Sequence, residues 1–135
     1  TDNYDSSQGI NSEFCRHLGV ITHYIADYFT FPHNSIFKGS MKEHIGYEFK
    51  LMDYLKEYLS REEADRFLLN GNQFNSVEKI CDFIKNKHDE YIKVIKEVPM
   101  DCYYIVQLCV KVVESILQIL GINMISESPR QVKVA

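Results

Sequence analysis

Residues 102–120, CYYIVQLCVKVVESILQIL, leave the fold few choices, because so apolar a run has to be surrounded by protein or by lipid. Gln107, Lys111, Glu114 and Gln118 interrupt it at steps of four, three and four, drawing one polar stripe down a helix. Lys and Glu are costly in a bilayer core, so the run predicts a largely buried core helix rather than a membrane span. Pro99 suits its first turn and Gly121 its C-terminal cap.

The other elements have to cover that helix. Apolar residues recur mostly at helical spacing, with no internal repeat, so the fold class expected is all-α, a multi-helix bundle. At 135 residues the chain (1–135) is one domain. Residues 1–11 read as a polar lead-in and 122–135 as a weakly ordered tail. The sequence starts at Thr1 without a Met or a leader, so a preceding segment is expected.

Ser12 is placed to cap a first helix running to about Phe31, before Pro32, with Phe14, Leu18, Ile21, Ile25 and Phe29 as its apolar stripe. Ser40 and Glu43 form a capping box opening a second helix through Leu59, with Ile45, Phe49, Met52 and Leu55 as the packing face. Ser60 and Glu63 repeat the box for a short helix to Leu69, ending at the Asn70-Gly71 turn. A further helix spans about Ser76 to Glu97, with Ile80, Phe83, Ile84, Tyr91 and Ile95 facing the core.

Fifteen basic residues against 19 acidic ones give a formal net charge of -4, so no nucleic-acid partner is expected. Cys15, Cys81, Cys102 and Cys109 form no C-x-x-C pair and sit in apolar helical contexts, as small hydrophobes. Free cysteines and the lack of a visible signal peptide favour a cytoplasmic location, with secretion the alternative if a leader lies upstream.

Against this ordinary background, three of the five histidines fall between positions 23 and 44. His23 and Asp27 are one helical turn apart, and so are His44 and Glu48 on the next helix. His33 lies in the connection between them. Each pair alone would be a surface hydrogen bond, but together they bring imidazoles and carboxylates into ligand spacing. Those are the donors that hold zinc where a water position stays open, whereas structural zinc sites prefer thiolates. His17 lies on another helical face, and His88, in KNKHDEY, reads as part of a solvated charged face.

On His23, Asp27, His33, His44 and Glu48 the sequence resembles the zinc-dependent phospholipases C of bacteria, whose fold is shared with fungal single-strand nucleases. The resemblance covers roughly residues 14–55. It implies that His33, His44 and Glu48 hold one zinc with an open position, and that His23 and Asp27 belong to a second. Asp27 is then the candidate catalytic group, bridging ions or orienting water. The resemblance also implies that Asp27 helps bind a third zinc, and that further ligands of the cluster come from upstream: an N-terminal Trp, an early His, and an Asp and a His before the first pair. This chain has no Trp, and Asp2, Asp5 and His17 are its nearest candidates.

The function so implied is hydrolysis of a phosphodiester by metal-activated water, in a phospholipid or small soluble substrate, with peripheral membrane contact. Tyr24, Tyr28, Phe29, Phe31 and Tyr47 either line a lipid-accepting cleft or belong to the core. The alternative is a non-catalytic helical metal-binding or interaction domain.

Overall fold

The computed structural model describes residues 10–61 and 73–122. Among these, four helices, α1 (Ser12–Tyr28), α2 (Met41–Leu59), α3 (Val77–Ile92) and α4 (Val98–Ile119), account for the regular structure, together with a 3-10 turn at Phe31–His33. The described residues contain no strand, as the helical spacing requires.

The apolar run is the core. α1, α2 and α3 each pack on α4, which buries Cys102, Tyr104, Leu108, Val112 and Leu117 among others. By length and composition Val98–Ile119 could cross a membrane; here one side of it is buried against the other described helices, while Tyr103 and Ile119 stay exposed. Its polar stripe also meets protein: Glu114 accepts a hydrogen bond from the Gln73 amide at 2.5 Å, and the Lys111 amine lies 5.4 Å from the centre of the Phe74 ring. Pro99 sits in the first turn as expected. At the other end Gly121 adopts φ 74°, where a side chain would be strained, and the Gly121 and Ile122 N–H groups reach back to the Gln118 and Leu117 carbonyls.

Three helix ends differ from expectation. The N-cap of α1 is Asn11, whose side chain accepts the Phe14 N–H at 2.9 Å, and Ser12 is the first helical residue. The helix stops at Tyr28, and Pro32 is accommodated in the separate 3-10 turn. Phe14, Ile25 and Phe29 are buried on the expected stripe. α3 ends at Ile92 rather than Glu97, because the Lys96 amine turns back onto the Tyr91 and Ile92 carbonyls, leaving Ile95 exposed.

The capping box of α2 is present as expected, with Ser40 accepting the Glu43 N–H. Of the four residues expected on its packing face, only Leu55 meets the core. Ile45, Phe49 and Met52 are exposed, while Leu51 is buried and Tyr54, Leu55 and Tyr58 pack beside it. The helix carries two apolar stripes, and burial chooses the one that also turns Tyr47 inward, to a hydrogen bond with Asp101. The short helix expected from Ser60 to Leu69, its Asn70-Gly71 turn, most of the lead-in and the tail beyond Ile122 lie outside the described residues. Ser60 itself caps the end of α2.

Candidate metal centre

The site is assembled from the end of the 3-10 turn and the first half of α2. Asn34 holds the turn against α1, its amide donating to the Tyr28 and Thr30 carbonyls, and the His33 N–H closes it onto Thr30. This presents the His33 ring to α2, where the helical repeat stacks His44 and Glu48 on one face. The His33 and His44 rings meet nearly edge to face, 4.8 Å apart.

Both imidazoles converge on one oxygen. His33 Nε2 lies 2.6 Å and His44 Nε2 3.2 Å from Glu48 Oε1. An ionised carboxylate only accepts, so both Nε2 atoms donate to it. The His33 hydrogen bond, reinforced by His44, holds the Glu48 carboxyl below the usual carboxylate range despite its partial burial. Three donor atoms, one from each residue, all lie within 4.8 Å of one another.

Asp27 stands at the edge of this cluster. Its Oδ1 is 3.8 Å from His33 Nε2 and its Oδ2 is 3.4 Å from His23 Nε2, so it links the compact trio to His23, which is largely exposed. The structure thus groups His33, His44 and Glu48 tightly, with Asp27 beside them and His23 outermost. His17 pairs with Glu13 at 3.7 Å on α1, and Asp2 and Asp5 lie outside the described residues.

A cleft of about 480 Å³ opens beside the cluster, lined by Tyr24, Ile25, Asp27, Tyr28, His33 and Ile84. The aromatic residues therefore divide. Tyr24 and Tyr28 line the cleft, Phe29 is fully buried, and Phe31 and Tyr47 pack together behind the site at 5.9 Å between ring centres.

His88 is not on a solvated face. Its ring stacks on Tyr28 at 3.6 Å, and Nε2 meets Asn34 Oδ1 at 2.8 Å, so it braces the turn that carries His33. Burial holds its pKa below the ordinary value. Asp101 was also hidden from sequence reasoning. An acid in the first turn of a helix reads as a partner of the helix dipole, yet this one is fully buried behind the site, and burial pushes its carboxyl above the usual range. Its spacing carried no signal, since its partners lie on other helices.

A family model described as zinc-dependent phospholipase C matches residues 1–97. The chain belongs to that family. Neither a curated protein nor a solved structure matches it. The matched stretch contains every residue of the cluster and ends just before α4. The zinc dependence of the zinc-dependent phospholipase C family agrees with the donor set: two imidazole nitrogens and an ionised carboxylate, partly exposed, with His33 lining the cleft, fit a zinc ion that keeps a coordination position open.

Proposed function

We propose that the chain is a zinc-dependent phosphoric-ester hydrolase that cleaves a phosphodiester, with His33, His44 and Glu48 holding the metal. The observation that carries this reading is the convergence of both Nε2 atoms on Glu48 Oε1 beside an open cleft. Zinc bound there supplies Lewis acidity towards a phosphoryl oxygen and makes water acidic enough to attack near neutral pH.

The chain's own residues do the rest. His44 and Glu48 are presented by the capped first half of α2, and His33 by a turn braced on both sides, so the ligands are held in place before the metal arrives. Asp27 Oδ1, 3.8 Å from His33 Nε2 in the lining of the cleft, accepts a proton from the attacking water. Its other oxygen and His23 contribute to a second metal position, incomplete by comparison. Tyr24 and Tyr28 take the apolar portion of the substrate, whether a phospholipid met at a membrane surface or a small soluble diester.

The test uses metal-stripped protein reconstituted with zinc and a chromogenic choline phosphodiester. Hydrolysis that is lost in His44→Ala together with zinc, and lost in Asp27→Asn while the zinc held by His33, His44 and Glu48 is retained, is the expected outcome. Bound zinc without hydrolysis of any diester would favour a non-catalytic metal-binding domain. No bound zinc would refute both.

A further inference from the structure

A carboxylate removed from solvent is costly unless donors surround it. Asp101 has 0% exposure and three donors. The Tyr91 hydroxyl donates to Oδ1 at 2.7 Å. Oδ2 accepts the Phe31 N–H at 2.8 Å and the Tyr47 hydroxyl at 2.7 Å. The two oxygens therefore hold different things: Oδ1 ties α4 to α3, whereas Oδ2 ties the start of the 3-10 turn to α2.

Those last two segments are the ones that carry the metal ligands. Phe31 lies two residues before His33, and Tyr47 lies between His44 and Glu48. α1 and α2 pack chiefly on α4, so the distance between the turn that follows α1 and the first half of α2 is set through α4. One buried oxygen of α4 touches both. A shift of either segment would lengthen a hydrogen bond to a group that has no water to replace it.

We infer that Asp101 is the positioning residue of the metal centre, its Oδ2 fixing the spacing between His33 and the His44–Glu48 pair without touching a ligand. The inference rests on the reading of the cluster as a zinc site. It assigns a role in that site to a residue beyond the stretch matched by the family model.

The two tyrosines separate positioning from bulk stability. Tyr47→Phe and Tyr91→Phe each remove one hydroxyl donor from Asp101 and keep the ring, so both lower the melting temperature by a similar amount. Only Tyr47→Phe cuts a tie to a ligand-bearing segment. With the full chain stripped of metal, zinc affinity is read by competition with a chromophoric chelator, and site geometry by the visible absorption of cobalt(II). Tyr47→Phe is expected to raise the zinc Kd by about tenfold or more and to change the cobalt spectrum. Tyr91→Phe is expected to stay within about twofold of the unmutated chain.

The ring-nitrogen NMR signals of His33 and His44 in the metal-free chain give a second readout, moving in Tyr47→Phe and holding in Tyr91→Phe. Equal zinc affinities and equal spectra for the two variants, on a parent that binds zinc, overturn the positioning role alone. A parent that binds no zinc overturns the site reading and this inference with it.

Discussion

Replacing Glu48 by Gln keeps the volume and removes the one anionic ligand of the trio, which makes it the sharpest test of the cluster. Without metal the change is mild. Glu48 is 44% exposed and His33 33% exposed, so their interaction is a solvent-screened one, worth about 0–1 kcal/mol. With metal the difference grows. Zinc at a concentration about 100 times its Kd stabilises the folded chain by about 2.7 kcal/mol, which for a domain of this size raises Tm on the order of 10 °C. Removing the charged ligand is expected to weaken binding about a hundredfold. The same zinc concentration then equals the variant's Kd and contributes only about 0.4 kcal/mol, or roughly 1–2 °C. Calorimetric melts of stripped protein with and without zinc measure all four states. A zinc-dependent rise of the same size in the parent and in Glu48→Gln would refute the assignment of Glu48 as a ligand, and no rise in the parent would refute the site.

Phe29, fully buried among His88, Tyr91 and Tyr104, is expected to cost about 3–5 kcal/mol when replaced by Ala. Phe49→Ala on the exposed face of α2 is expected to stay within about 0.5 kcal/mol, and urea unfolding of the pair checks which stripe is buried. His88 has a folded pKa below its ordinary 6.5, so on acidification through 6.5 the unfolded chain takes the proton first and stability falls until the lowered folded value is reached. His88→Gln, less stable at neutral pH, is therefore expected to show a shallower loss over that window; parallel pH profiles would contradict the burial of the imidazole. Ser40→Ala removes the cap of the helix that carries two ligands and is expected to cost about 1 kcal/mol by the same urea measurement.

Much of the fold could be read directly because its signals are local. The capping box at Ser40, the proline-led and glycine-ended apolar helix and the His–carboxylate pairs all depend on residues within a turn or two of one another. The cluster formed by His33, His44 and Glu48 was legible for the same reason, since a single short connection joins its parts. What stayed hidden depends on other helices. α2 offers two apolar stripes of similar strength, and the choice between them follows from Tyr47 meeting Asp101, 54 residues away. The stack of His88 on Tyr28 joins α3 to α1, so a run of charged neighbours around His88 pointed the wrong way. The cap at Asn11 against Ser12 was a contest between two good cap residues, decided by which backbone stays extended.

The burial of α4 has a consequence for how this protein fails. Among the described residues, every other helix leans on a segment that is long and apolar enough, by composition, to enter a bilayer once uncovered. Opening the bundle exposes that segment to solvent, where its apolar surface favours association with other copies over refolding. Its durability is then a rate, set by how often α4 is exposed, and the melting temperatures compared above belong at a single scan rate.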